Sequence, residues 1–208
     1  TSELQEKKQL ADLKIFCLIL QHDKQSREFL FGKTYQEEMD YLVKNEKRNK
    51  YIRNLVSSLQ GNTLVLFQYV EKHGTELKKL IEEKNPERKV FFVYGGVEAE
   101  EREKIRFITE KSDGAIIVAS YGTFSTGINI RNINNVVFAS PSKSRVRVLQ
   151  SIGRGLRQSK TKTSVKLFDV SDNVSYKSRQ NFTYRHFNER LNIYKQENFN
   201  YEINRVKL

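Results

Sequence analysis

From Leu64 onward, short apolar runs alternate with longer polar stretches that carry apolar residues at helical spacing. The runs are Leu64–Phe67, Lys89–Val93, Ala115–Ala119, Asn135–Phe138 and Val165–Val170, each dense in Val, Ile, Leu or Phe. Such runs fit strands buried on both faces, the condition of a parallel sheet covered by helices. Between them, Glu71–Glu83, Glu98–Lys111 and Ser144–Ile152 are long enough for crossover helices. The alternation predicts a right-handed, doubly wound, mostly parallel sheet.

The flanks follow the same logic. Leu13–Leu20 predicts another strand. Tyr35–Leu59 predicts one or two helices, because Met39, Leu42, Val43, Ile52, Leu55, Val56 and Leu59 recur at three- and four-residue spacing. Gln60-Gly61-Asn62 stops that pattern. Downstream, Ser175–Glu197 predicts a basic helix with Phe187, Leu191 and Tyr194 as its stripe, and Phe199, Tyr201 and Ile203 alternate with polar residues as in a strand. The expected organisation is a core over 61–172, an N-terminal strand and helices over 1–60 packing on it, and a basic helix–strand extension over 173–208.

Composition narrows the class. Of 208 residues, 38% are hydrophobic, enough for a core. The longest candidate for a membrane span, Leu13–Leu20, is broken by Lys14 and far short of the roughly 18 apolar residues a span needs. The first residues lack the basic, apolar, small-residue order of a signal peptide. One cysteine, Cys17, makes no internal disulfide and reads as a small buried hydrophobe. His22, His73 and His186 have no metal-ligand spacing, so no metal site is expected in this chain. A reducing, cytoplasmic setting without a membrane partner fits.

Charge adds a direction. The formal net charge is +12, but residues 1–60 carry 11 Lys/Arg against 9 Asp/Glu, residues 61–140 carry 11 against 11, and residues 141–208 carry 15 against 5. The excess sits in the last third, which suits either solubility or a polyanionic partner.

Gly32-Lys33-Thr34 imitates the end of a phosphate-binding loop. That loop needs a glycine five residues earlier, where Arg27 stands, and Glu28-Phe29-Leu30-Phe31 cannot form a glycine-rich cradle. No acidic magnesium-binding motif follows a strand either. Asp169 and Asp172 are expected to cap the next helix.

The sharpest chemistry lies in Gln150-Ser151-Ile152-Gly153-Arg154-Gly155-Leu156-Arg157. Two arginines three apart share a helix face or turn, and paired guanidiniums suit the charge that builds on a γ-phosphoryl group. A basic surface turn is the plain alternative. The segment resembles motif VI of superfamily 2 helicases, Q-x-x-G-R-x-x-R. Val118 to Ile130, with Ser120 and Gly127-Ile128-Asn129-Ile130, is similar to motif V. Val93-Tyr94-Gly95-Gly96 followed by Glu98 to Arg102 resembles motif IVa, and Leu64–Phe67 resembles motif IV. Any one match is weak, but the ordered set covers about residues 60–172. The tail from Tyr184 to Leu208 is similar to that of phage recombination and repair helicases in the same superfamily.

The resemblance implies a three-layer α/β fold of the RecA-like, P-loop NTPase type, here the second of two motor domains. It implies ATP with Mg²⁺ as cofactor, the Mg²⁺ ligands lying on a first RecA-like domain outside this chain. By motif position, Arg157 matches the arginine finger and Arg154 the second γ-phosphate contact, and Gln150 heads the motif and would help set the domain interface. Gly127 and Asn129 fall on the nucleotide side, Asn129 where relatives often carry Asp; both also suit an ordinary turn.

Gly95, Gly96, Arg102 and Ser120 match nucleic-acid backbone contacts, although Arg102 among Glu98, Glu100, Glu101 and Glu103 also reads as a solvated helix charge. Lys143, Arg145 and Arg147, with Lys177, Arg179, Arg185 and Arg190, extend the basic footprint. Tyr176, Phe182, Tyr184 and Phe187 among them suit base stacking or packing. The implied partners are DNA, branched by the family likeness, and the N-terminal motor domain; a monomer is the starting expectation. A non-enzymatic nucleic-acid-binding module, or the translocase domain of a restriction or remodelling enzyme, remains open on sequence. A small-molecule Rossmann enzyme is remote, since no G-x-G-x-x-G follows a strand.

In a two-domain enzyme, Arg157→Ala is expected to lower ATP turnover by about a thousandfold or more while sparing fold and most DNA binding. Steady-state phosphate release measures this, and intact turnover overturns the finger assignment.

Overall fold

The computed structural model describes residues 12–123, 130, 132–141 and 164–208. Among these, the elements in chain order are β1 (Asp12–Gln21), α1 (Lys24–Leu30), α2 (Tyr35–Lys44), α3 (Glu46–Ser58), β2 (Thr63–Phe67), a π-turn (Val70–Gly74) leading into α4 (Thr75–Lys84), β3 (Val90–Val93), α5 (Ala99–Glu110), β4 (Ile116–Ser120), β5 (Asn135–Phe138), β6 (Ser164–Asn173), α6 (Phe182–Gln196) and β7 (Asn200–Lys207). The seven strands form one sheet in the order β3-β4-β2-β5-β6-β1-β7, and every neighbouring pair is parallel. The strand before the core is therefore an inner strand, in register with β6 from Asp12↔Ser164 to Gln21↔Asn173.

The sheet is covered on both faces, as continuous apolar runs require. Leu64 and Leu66 join Ile117, Ala119, Val136, Phe138 and Leu167 on one face, under Ile105 of α5 and Phe187 and Tyr194 of α6. Val65 and Phe67 join Ile116, Val118, Val137 and Val170 on the other, under Ile52 and Val56 of α3 and Leu77 and Ile81 of α4. Cys17 is fully buried in the first cluster, and burial pushes its thiol far above the ordinary range, as for a packing residue.

Local chemistry explains several boundaries. The Tyr35–Leu59 pattern splits at Asn45, whose side chain accepts from the Arg48 N–H and caps α3. Thr34 and Glu37 form a capping box on α2, and Lys33 pairs with Glu37 at 3.4 Å, so Gly32-Lys33-Thr34 is a helix entry and no phosphate cradle. Gly74 packs where a Cβ would come within 2.5 Å of the Phe67 ring. Helix α1, capped by Asp23, was not anticipated by the hydrophobic pattern. Ser144–Ile152 lies outside the described residues.

Asp169 and Asp172 cap nothing, contrary to the expectation from sequence. Both lie inside β6 with no exposure. Asp172 accepts from Arg48 Nε at 2.9 and 3.0 Å and from His22 Nε2 at 2.9 Å. Burial alone raises its pKa, but Arg48 and His22 outweigh that and hold it far below the carboxylate range. Asp169 accepts from Arg190 at 2.8 and 2.9 Å and from the Tyr194 hydroxyl at 2.8 Å. Arg190 is thus consumed by packing and does not extend a DNA footprint.

The start of α6 is capped from another element. Glu38 of α2 accepts from the backbone N–H of Phe182 at 3.0 Å and of Thr183 at 2.8 Å, an anion placed on a helix N-terminus. Residues before Phe182 form a turn, with Lys177 at φ +52° and a Tyr176–Arg179 bridge, so the helix is shorter than its sequence pattern.

Removing one partner of a buried pair strands a charge. Arg190→Ala and Asp169→Ala are each expected to cost about 3–5 kcal/mol in urea unfolding. The double variant should cost clearly less than the sum; simple additivity overturns the account.

Candidate nucleotide and nucleic-acid interface

All seven strands are parallel, so their carboxyl ends lie on one edge, the usual place for ligands in such sheets. Strand β4 ends there at Ser120 and passes into a helical turn. The Ser120 Oγ lies 2.7 Å from Thr123 Oγ1 and accepts from the Thr123 N–H at 3.3 Å. Ser120 thus stays half-exposed with its hydroxyl oriented by the turn.

Strand β3 leaves the sheet beside it. The register ends with Val93 next to Ala119, so the Gly95-Gly96 turn and Ser120 emerge from adjacent strands. The turn is closed by the Val97 N–H donating to the Tyr94 carbonyl at 3.0 Å, and both glycines are exposed. A Cβ at Gly96 would meet the Tyr94 ring at 2.7 Å, whereas one at Gly95 would meet nothing within 4 Å. Close approach therefore requires glycine at 96, while 95 is left bare toward solvent.

Arg102 lies in α5, the helix that follows this turn. Three of the glutamates around it lie near other cations: Arg106 binds Glu103 at 2.8 Å, and Lys104 lies 3.5 Å from Glu100 and 3.9 Å from Glu101. Among the described residues Arg102 has no ion-pair partner, and its buried Nε has no hydrogen-bond partner. Gly95, Gly96, Arg102 and Ser120 are therefore brought to one end of the sheet. Gly127, Asn129, Lys143, Arg145, Arg147, Gln150, Arg154 and Arg157 lie outside the described residues.

A polar lock that sequence reasoning missed secures this edge. His73, fully buried on the π-turn, has Nε2 3.1 Å from Asn49 Oδ1 and Nδ1 2.7 Å from Ser140 Oγ. Asn49 spends its amide nitrogen on the Val43 carbonyl, so its Oδ1 accepts and His73 Nε2 carries the proton. Nδ1 then accepts from the Ser140 hydroxyl, which itself accepts from the Gln68 N–H at 3.0 Å. The Tyr121 hydroxyl donates to the Ser140 carbonyl at 3.1 Å. The residue after Ser120 is thus tied to the end of β5, just before the chain enters 142–163. The partners are 24 and 67 residues from His73, so no local sequence signal announces them.

Burial first, and then the nearby Arg48 charge, hold the His73 pKa well below its ordinary value of 6.5. The folded protein therefore resists a proton that the unfolded chain takes up below about pH 6.5. This contribution is fully present above that pH and is lost progressively as the pH falls. Unfolding free energy measured from pH 7.5 to 5 should fall with a slope that His73→Gln reduces by about one proton. An unchanged slope in the variant overturns the assignment.

Comparison with known proteins identifies the family. The family described as "Helicase conserved C-terminal domain" matches residues 46–159. The chain is 38% identical, over 221 aligned residues, to the ATP-dependent DNA helicase uvsW of Enterobacteria phage T4, covering 100% of this chain and 43% of that protein. The crystal structure of T4 UvsW superposes with a TM-score of 0.82 at 36% identity, covering 94% of this chain and 42% of that one. The DNA-bound type ISP restriction-modification enzyme LlaBIII shares the fold at a TM-score of 0.62 and 14% identity, over 97% of this chain and 16% of that one. The chain spans less than half the length of the UvsW protein it matches. The parallel three-layer fold, the ordered motifs and these likenesses place the chain in the family of helicase conserved C-terminal domains.

Proposed function

We propose that this chain is the second motor domain of an ATP-dependent DNA helicase that remodels branched DNA in recombination, fork rescue and repair. The observation that carries this reading is 38% identity along the whole chain to an ATP-dependent DNA helicase. It is supported by the gathering of Gly95, Gly96, Ser120 and the unpaired Arg102 at the carboxyl end of the sheet.

The division of labour follows from what the chain contains. Gly32-Lys33-Thr34 is engaged as a helix entry, with Thr34 capping α2 and Lys33 paired with Glu37. ATP bound with Mg²⁺ would supply the free energy of phosphoryl transfer. A first motor domain would hold the cofactor's phosphates and metal, and this chain would complete the site. Arg157 is the finger and Arg154 the second phosphate contact, because an arginine placed where transition-state charge develops is effective when it arrives by domain closure. Gln150, Gly127 and Asn129 serve the nucleotide-side interface.

On the DNA side, Ser120, the Gly95-Gly96 turn and Arg102 contact the strand backbone, with Lys143, Arg145 and Arg147 alongside. Backbone contacts let a motor step along any sequence.

The chain alone is expected to bind DNA with affinity that falls steeply as salt rises, and to turn over no ATP. Joined to its first motor domain it should hydrolyse ATP, and forked DNA should stimulate it more than linear duplex of equal length. Phosphate release with the two DNAs measures both. Turnover by the chain alone overturns the half-motor reading, and equal stimulation overturns the preference for branches.

A further inference from the structure

A second surface on the same edge of the sheet has chemistry the motifs do not account for. Helix α1 ends in Phe31 and Gly32, the latter at φ +81°, and this turn faces the turn after β6. Phe29 and Phe31, two residues apart, are 58% and 45% exposed, an unusual placement for two large apolar rings. The Phe31 ring meets Tyr176 edge-on at 5.7 Å. Lys177 Nζ lies 5.4 Å from the Phe31 ring and 5.7 Å from the Tyr176 ring. Arg179 and Arg185 lie over Phe182 at 5.8 and 4.7 Å.

Lys177, Arg179 and Arg185 are exposed, and among the described residues none has a carboxylate partner; their contacts are the aromatic faces. Lys177 also holds a left-handed backbone, a conformation unfavourable for lysine and enriched at binding turns. Between the two turns lies a shallow hollow, lined in part by Phe31, Tyr176, Arg179 and Phe182 and with room inside for little more than one water molecule. It encloses no small-molecule pocket, and its open surface suits flat groups laid across rings.

We propose that this patch is a second nucleic-acid contact, one that takes an unpaired single strand: bases stack on Phe31, Tyr176 and Phe182, and phosphates meet Lys177, Arg179 and Arg185. The proposal rests on the DNA-motor reading above and adds a base-stacking site to backbone contacts. Duplex bases are already stacked on one another, so exposed rings select a strand whose bases are free. A protein partner would have to bury three unpaired cations, whereas phosphates neutralise them. Position agrees. The patch follows the ends of β1 and β6, and β6 lies three strand steps from β4 in the sheet order, about 14 Å at the usual strand spacing. One strand can therefore pass both Ser120 and the rings.

The test uses the whole 208-residue chain, a single-stranded oligonucleotide carrying 2-aminopurine, and the corresponding duplex. Phe31→Ala removes one half-exposed ring of the stacking site, and circular dichroism checks that the fold is kept. This variant should bind the single strand about tenfold more weakly, lose the stacking-dependent change in 2-aminopurine emission, and bind duplex within about twofold of the parent. Lys177→Glu/Arg179→Glu should flatten the salt dependence of single-strand binding.

Unchanged single-strand affinity and emission in the Phe variant overturn the proposal. So does equal weakening for both DNAs, or a changed sedimentation mass, which would make the patch a contact between protein chains. Arg102→Ala/Ser120→Ala, measured in parallel, separates the two readings. If it weakens binding while the Phe variant does not, the stacking site falls and the motor reading stands. If only the Phe variant is impaired, the stacking site stands and the backbone contacts at Ser120 and Arg102 fall.

Discussion

Strand β6 carries two carboxylates, Asp169 and Asp172, that no water reaches, and much of the outer architecture answers the need to neutralise them. Three positions apart on a strand, they face opposite sides of the sheet. Asp169 takes Arg190 and Tyr194 of α6 on one side; Asp172 takes Arg48 of α3 on the other and His22 from the end of β1. A buried charge without its partner is far more costly than an apolar residue in the same place. The two ion pairs therefore add a fixed polar contact to the apolar packing that docks α3 and α6. They also explain why the N-terminal and C-terminal stretches are integral: β1 and β7 continue the sheet beyond β6.

With the sheet held in that way, its carboxyl edge becomes a platform of fixed geometry. The His73–Ser140 lock and the Tyr121 hydroxyl tie the ends of β2, β4 and β5 together just where the chain departs toward 124–129 and 142–163. A motor domain that must present arginines to a site on another domain gains from such rigidity, because a displaced guanidinium loses most of its effect on a developing charge. Neutral His73 suits the role: it bridges a donor and an acceptor without bringing a charge into the core.

The same edge carries two kinds of surface chemistry. Near β3 and β4 the groups are small, a hydroxyl, two glycines and one free arginine, suited to a sugar–phosphate backbone. Near β6 and β1 they are rings and cations, suited to bases. At the opposite edge, Asn62 donates to the Thr109, Ser112 and Asn132 carbonyls and accepts from the Ala115 N–H, while Arg88 donates to the carbonyls of Leu59, Gly61 and Gly114. Asparagine and arginine there staple loops together.

The sequence by itself determined the alternation of strands and helices, the burial of the sheet on both faces, and the second-motor-domain motifs, because each of these is written in residues close together in the chain. Apolar runs at Leu64–Phe67 and Asn135–Phe138 cannot face water, and Gly32-Lys33-Thr34 cannot cradle a phosphate without an upstream glycine. What only the tertiary structure decided depends on partners distant in sequence. Asp169 and Asp172 read locally as caps, but partners 21 and 124 residues away make them buried anchors. Arg190 reads as one more tail cation, and only its contact with Asp169 removes it from the surface. Arg102 reads as one charge among glutamates, and only the fold shows Glu100, Glu101 and Glu103 near Lys104 and Arg106 instead. Charge and polarity are local properties of a residue, whereas whether a charge is spent or available is settled by what the fold brings within hydrogen-bonding distance.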